Sequence, residues 1–158
     1  MSLLANTIKA IQPVAADTTH EIKQHLSSVM EGDNNTLGEL ERLLLRTISI
    51  TGERHPQLKK CTIICCGDHG VAAEGVSAYP PETTLQMVKN YLISRGAAAN
   101  ALANYCDSAL MVVDMGINAD TSDIPNLINA RIASGTQNIA QGPAMTHKQA
   151  IQAIETGI

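Results

Sequence analysis

Residues 61–80 read CTIICCGDHGVAAEGVSAYP, and this stretch decides the fold. It opens with a continuous apolar run, Cys61 to Cys66, which Gly67 ends. A short run of this kind is typical of a parallel strand covered on both faces. The residues from Gly67 to Pro80 are rich in glycine and polar side chains. They are therefore expected to form a loop at the carboxyl end of the strand.

The residues after this loop predict a helix and then a second strand. Two prolines at 80 and 81 favour a helix start, and Glu82 suits the first helical turn. Leu85, Val88 and Leu92 form its buried stripe to about Ser94, and a second helix is expected over 97–105. Residues 110–113 predict the next strand, ending at Asp114 and Gly116. This strand–helix–strand order indicates an α/β fold with a Rossmann-like parallel sheet flanked by helices.

The flanking segments extend this scheme. Residues 1–57 are expected to be a helical segment of a smaller domain, with capping boxes at Thr18 and Thr36 and a helix end near Gly52. Residues 58–158 are then the N-terminal part of the parallel α/β domain. A third short strand is expected around residues 130–133, and Thr146, with Gln149 three residues later, caps a final helix. Because an α/β fold normally places another strand next, the chain is expected to be incomplete at Ile158.

Composition narrows the functional class. The chain has 158 residues, a net charge of −4 and no Phe or Trp, so the core must be aliphatic. Scattered basic residues and few aromatic rings argue against nucleic-acid binding. No apolar run approaches the ~20 residues of a membrane span, and no signal peptide is apparent. The four cysteines lack a C-x-x-C pair and are expected to be reduced core thiols, which indicates a cytoplasmic protein.

The loop after the first strand is the main candidate site. Ligands of open α/β sheets bind beyond the carboxyl ends of strands. Asp68 and His69 lie at such a position and could transfer protons or form a hydrogen bond with a ribose hydroxyl. Alternatively, both side chains only tie the loop to its own backbone. Walker and G-x-G-x-x-G motifs are absent. A metal site is not predicted, because Asp68, His69 and Glu74 lack a helical ligand spacing.

Other residues near the strand ends are weaker candidates. Tyr79 could pack on a planar heterocycle and Gln86 could bind a ring nitrogen or hydroxyl, although a loop–core tyrosine and a solvated glutamine fit the same pattern. Asp114, after the second strand, is either a ribose-binding residue or a turn residue. Residues 133–146 could present backbone N–H groups to an anion, or simply connect two elements.

Several of these motifs, in order, resemble one enzyme family. The stretch from Gly67 to Pro80, with Gln86-Met87-Val88, is similar to the hallmark of nicotinate-nucleotide–dimethylbenzimidazole phosphoribosyltransferases. Further matches cover roughly residues 36–158, with Arg95 standing where the family has glycine. They are Thr36 to Glu41, Gly96 to Asn100, Val112 to Gly116, Gly135 to Ile139 and Gly142 to Thr146.

The resemblance implies both a reaction and a binding site. The family transfers 5-phosphoribosyl from nicotinate mononucleotide to 5,6-dimethylbenzimidazole, giving α-ribazole 5′-phosphate and nicotinate, without a metal or organic cofactor. The resemblance assigns Ser77, Ala78 and Tyr79, with Gln86, to the benzimidazole pocket. It also implies homodimers. The family's glycine-rich phosphate loop and glutamate base would fall beyond Ile158, so the catalytic residues stay unassigned.

Three interpretations of this chain therefore remain open. It is an enzyme or enzyme portion of the family, a base-binding or regulatory remnant, or half of a split enzyme that needs a complementary C-terminal chain. Without the phosphate loop and the glutamate, the isolated chain is expected to be inactive. Because its short sheet leaves apolar surface uncovered, the chain is also expected to form oligomers, preferably homodimers, to bind a complementary chain or to aggregate. The expected ligands are nicotinate mononucleotide and 5,6-dimethylbenzimidazole or a related base, with no nucleic acid and no membrane.

Overall fold

The computed structural model describes residues 2–14, 18–29, 38–53 and 55–158. These residues divide into two compact units. One unit contains residues 59–158 together with the N-terminal residues through Ile8, and the other contains residues 9–58. The first helix, α1 (Leu3–Ala10), crosses the boundary between them.

The smaller unit is helical. Helix α2 (Thr18–Val29) packs against α3 (Glu39–Thr51), which buries Leu45 and Ile48. The predicted end of α3 is confirmed, because Gly52 takes the left-handed conformation (φ 70°) and its N–H donates to the Ile48 carbonyl at 2.8 Å. At the start of α3 the cap is Gly38, without a side-chain hydrogen bond. The expected capping residue Thr36 and the side chain of Thr18 lie outside the described residues.

The larger unit contains the predicted parallel sheet. Strand β1 (Lys60–Gly67) pairs in parallel with β2 (Ser108–Gly116), and β2 pairs with the short β3 (Ile128–Asn129). The order is β1-β2-β3. The third strand therefore lies two residues earlier than residues 130–133, where it was expected. The α/β fold class predicted from the sequence is confirmed.

Helices connect the first two strands. The loop after β1 contains a 3₁₀ turn (Gly70–Glu74), and α4 (Glu82–Lys89) continues into a π-helical turn (Asn90–Ser94). Helix α5 (Ala98–Tyr105) then leads into β2. Val88 of α4 is fully buried against β1 and β2, in a core that also contains Cys66, Val112, Ile117 and Ile124. Burial of this apolar surface fixes α4 on one face of the sheet.

The opposite face of the sheet is exposed, contrary to the expectation of cover on both faces. The exposed sheet face, as we call it, consists of Cys61, Ile63 and Cys65 on β1 with Ala109 and Met111 on β2. Ile63 is 61% exposed and Met111 is 40% exposed. The prediction that the cysteines are core thiols is accordingly wrong for Cys61, Cys65 and Cys106, and holds only for Cys66.

The end of the chain folds back onto this unit. Thr146 and Gln149 form the predicted capping box at the start of α6 (His147–Glu155). The backbone N–H of Leu4 in α1 donates to Glu155 Oε1 at 2.9 Å, which ties the two termini of the described chain together. Among the described residues, every helix is too short or too polar for a membrane crossing.

Candidate functional site

A cavity of about 510 Å³ opens at the carboxyl end of β1. We call it the β1–α4 cavity, because its walls come from the end of β1, the following loop and one face of α4. Most of its lining is aliphatic or aromatic, with a few hydroxyl, carboxylate and imidazole groups at one end. Its lining residues are Ile64–His69, Val71, Ala72, Val76, Ser77, Tyr79, Pro80, Pro81, Thr83, Thr84, Met87 and Tyr91.

The loop that forms the outer wall is held by its own hydrogen bonds. Gly75 ends the 3₁₀ turn in the left-handed conformation (φ 74°), which glycine adopts without steric cost. The Ser77 hydroxyl donates to the Tyr79 carbonyl at 2.8 Å and accepts from the Tyr79 N–H at 3.2 Å. Ser77 therefore shapes the turn that carries Tyr79, whose side chain is 71% exposed beside the cavity.

Asp68 occupies the junction between β1, α4 and the segment after β2. Its carboxylate accepts a hydrogen bond from the Thr84 hydroxyl at 2.6 Å and another from the Asn118 N–H at 2.7 Å. Its backbone N–H donates to the Gly116 carbonyl, and its carbonyl accepts from the Thr136 N–H at 3.0 Å. By contrast, the imidazole of His69 has no hydrogen-bond partner among the described residues.

A second, smaller cavity of about 170 Å³ adjoins the first. We call it the neighbouring cavity; it shares Gly67, Asp68 and His69 with the β1–α4 cavity. Its other walls come from the end of β2, from the segment after β3 and from α6. They are Met115, Gly116, Ile132, Ala133, Gly135, Thr136, Gln137, Ala144, Met145, Gln149 and Ala153. Asp68 and His69 thus separate two adjacent cavities.

The structure brings together four of the seven candidate binding residues. Asp68, His69, Ser77 and Tyr79 line the β1–α4 cavity. Gln86 is exposed on α4 and does not line either cavity, and the same holds for Ala78.

Asp114 does not line either cavity, and its carboxylate is fully buried. One carboxylate oxygen accepts the N–H groups of Gly116 and Ile117, and the other accepts the Thr121 hydroxyl and the Arg131 guanidinium, the latter at 2.8 Å. Burial alone raises the pKa of this carboxyl, but the hydrogen bonds from Ile117 and Arg131 outweigh burial and lower the pKa overall. A carboxylate with these partners organises the loop after β2, which corresponds to the turn role that the sequence left open.

Sequence reasoning placed Gln86 of α4 at the site but missed the side of this helix that lines the cavity. Thr84, Met87 and Tyr91 line the β1–α4 cavity from one side of the helix. Their spacing of three and four residues was the available signal, because such residues share a helical face. That face lies next to the buried stripe of Leu85 and Val88, so it was concealed within an ordinary amphipathic pattern.

The protonation and exposure of the cysteine side chains limit the chemistry at the end of β1. Burial raises the pKa of the Cys66 thiol to about 11, so this thiol is protonated at neutral pH and is a poor nucleophile. Cys65 also borders the β1–α4 cavity, but its side chain belongs to the exposed sheet face. Within the described ranges, no cluster of His, Cys, Asp and Glu side chains has the arrangement of a metal site.

Comparison with known proteins assigns the family. A family model described as "Phosphoribosyltransferase" matches residues 11–158, which is nearly the whole chain. The chain belongs to this phosphoribosyltransferase family. Its β1–α4 cavity is therefore a cavity of a phosphoribosyltransferase domain, and the resemblance stated from the motifs is confirmed.

Individual members of the phosphoribosyltransferase family support this assignment. The chain is 44% identical, over its full length, to the nicotinate-nucleotide–dimethylbenzimidazole phosphoribosyltransferase of Geobacter metallireducens, and covers 44% of that protein. It is 42% identical to the enzyme of the same name from Halalkalibacterium halodurans, again covering 44% of it. The crystal structure of the Thermus thermophilus enzyme superimposes with a TM-score of 0.81 at 38% identity, over 90% of this chain and 43% of that one. The chain thus spans less than half the length of these relatives.

Proposed function

We propose that this chain provides the base-binding part of a phosphoribosyltransferase that acts on 5,6-dimethylbenzimidazole. The β1–α4 cavity carries the proposal, because its apolar and aromatic lining suits a flat bicyclic ring. Met87 of α4 and Tyr91 of the following π-helical turn offer apolar surface, while Pro80 and Tyr79 offer it from the loop. Aromatic and proline faces stabilise a planar heterocycle by burial and stacking.

The proposed reaction transfers 5-phosphoribosyl from nicotinate mononucleotide to the benzimidazole. One benzimidazole nitrogen attacks the anomeric carbon, and the bond from this carbon to the cationic pyridinium nitrogen breaks, so that nicotinate leaves with a neutral ring nitrogen. The other benzimidazole nitrogen loses its proton to a base. The position of the neighbouring cavity supports such a transfer, because the two cavities meet at Asp68 and His69. A second substrate bound there would lie next to the bound base.

A calorimetric titration of the chain with 5,6-dimethylbenzimidazole tests the proposal. The ligand has about 11 non-hydrogen atoms, and at about 0.45 kcal/mol each the dissociation constant is expected on the order of 0.2 mM. Imidazole, which has the azole but lacks the fused ring, is expected to bind at least about tenfold more weakly because it buries less apolar surface. Equal affinity for the two ligands, or no heat with millimolar dimethylbenzimidazole, would refute base binding.

We also propose that the protein is a cytoplasmic homodimer. Three exposed free thiols, on Cys61, Cys65 and Cys106, suit a reducing compartment. The exposed sheet face supports association, because a contiguous apolar surface is favoured to leave water. Light scattering combined with size exclusion measures the mass directly, and a monomer at high concentration would contradict the dimer.

A further inference from the structure

The side chain of Asp68 connects two parts of the β1–α4 cavity that are distant in sequence. Its Oδ1 accepts from the Thr84 hydroxyl, which lies in the first turn of α4. Its Oδ2 accepts from the backbone N–H of Asn118, just after β2. The carboxylate therefore fixes the start of α4 relative to the ends of both strands.

The position of α4 determines the shape of the β1–α4 cavity. Thr83 and Met87 line it from this helix, whereas Cys66 and Gly67 line it from β1. The Thr84–Asp68 hydrogen bond is a direct side-chain connection between these two walls at 2.6 Å. Loss of this bond would free the first turn of α4 to move, and the spacing of the walls would change with it.

We propose that Asp68 is a positioning residue, with Thr84 as its partner, and that it holds the cavity walls at the spacing a flat bicyclic base requires. This role requires no proton transfer, because the two carboxylate oxygens act as hydrogen-bond acceptors for Thr84 and Asn118. The proposal rests on the proposed function, since it concerns the same cavity and ligand.

The first test removes only the Thr84 hydroxyl. Thr84→Val keeps the shape of the side chain and is expected to weaken 5,6-dimethylbenzimidazole binding roughly five- to tenfold, because only part of the contribution of a hydrogen bond to a charged group is transmitted to the ligand. Thr84→Ser retains the hydroxyl and is expected to bind within about twofold of wild type. Thr62→Val is the matched control: it removes a threonine hydroxyl bonded to Ser108 at 3.1 Å, elsewhere in the same sheet, and is expected to leave binding unchanged.

The second test separates positioning from proton transfer. In Asp68→Asn the amide oxygen can accept from Asn118 while the amide nitrogen donates to the Thr84 oxygen, so both contacts persist without a titratable group. Asp68→Asn is therefore expected to bind within about threefold of wild type, and Asp68→Ala about tenfold or more weakly. Melting temperatures, measured for every variant, identify any that do not fold. If Asp68→Ala does not fold, the affinity of Thr84→Val still tests the proposal.

The outcomes distinguish this inference from the proposed function. If wild type binds the base but Thr84→Val binds equally well, or Asp68→Asn loses as much affinity as Asp68→Ala, the positioning role is refuted. If wild type itself does not bind the base, the proposed function fails instead.

Discussion

Replacing Arg131 by methionine is expected to lower the free energy of unfolding by about 3–5 kcal/mol, because it leaves the buried carboxylate of Asp114 without its cation. The Arg131 guanidinium donates to Asp114, to the Ala119 carbonyl and to the Thr121 hydroxyl. Methionine keeps much of the apolar stem but none of these donors. Chemical denaturation at neutral pH, followed by circular dichroism, measures the change.

The matched control for Arg131→Met is Lys89→Met. Lys89 pairs with Asp123 at 3.1 Å, but both side chains are largely exposed, and an exposed ion pair contributes at most about 1 kcal/mol. If the two variants lose similar amounts of unfolding free energy, Arg131 stabilises the buried Asp114 carboxylate no more than an exposed ion pair would.

The Asp114–Arg131 pair also predicts how the loss of unfolding free energy in Arg131→Met depends on pH. Because the folded pKa of Asp114 is lowered, the stabilisation it gives the wild type is complete above about pH 5. It is lost as the pH falls through the unfolded value, near 3.9, towards the folded pKa. The difference in unfolding free energy between wild type and Arg131→Met is therefore expected to narrow once the pH falls below about 5. A difference that stays constant would contradict this linkage.

Gly70→Ala is expected to destabilise the larger unit by roughly 3 kcal/mol, at the upper end of overpacking effects. A Cβ at Gly70 would lie 2.6 Å from the Asn138 nitrogen and 2.7 Å from the Thr136 oxygen. These are backbone atoms, so the segment from Thr136 to Asn138 must move. The hydrogen bond from the Gly70 N–H to the Thr136 carbonyl, 3.1 Å long, would be lost with that movement. Thermal unfolding measures the effect.

Gly142→Ala is the control for this clash. No atom lies within 4 Å of a Cβ built at Gly142. The substitution is expected to be neutral or slightly stabilising, because alanine restricts the unfolded chain. A Gly70→Ala protein as stable as Gly142→Ala would show that the contact between these two loops is looser than the structure indicates.

Local sequence signals predicted the elements whose energetics are local. Gly52 ends α3 and Thr146 caps α6 because a glycine C-cap and a capping box each involve only a few neighbouring residues. The strand–helix–strand unit followed from its apolar periodicity in the same way. Its carboxyl end was also the right place to look for a cavity, because parallel strands carry their following loops to one edge of the sheet.

Pairings between residues that are distant in sequence were not predicted. Asp114 looked like a ligand-binding residue, since nothing near it in sequence indicated that Arg131, seventeen residues later, neutralises it in a buried site. Exposure of the β1 cysteines was missed for a similar reason, because an apolar run does not reveal whether a second layer covers it. The structure places Arg95, which departs from the glycine of the motif that its surroundings resemble, at φ 53°, the left-handed conformation that glycine favours.

Peptide-resolved alkylation of a Thr83→Cys variant, with and without 5,6-dimethylbenzimidazole, tests base binding in the β1–α4 cavity most directly. Thr83 lines this cavity from α4, whereas Cys61 and Cys106 are exposed and do not line it, so the chain carries its own controls. At saturating base, alkylation at position 83 is expected to slow at least about fivefold, in proportion to the occupied fraction, while Cys61 and Cys106 react at unchanged rates. Unchanged alkylation at position 83 at a base concentration that saturates the calorimetric signal would contradict the account, because the base would then be bound elsewhere.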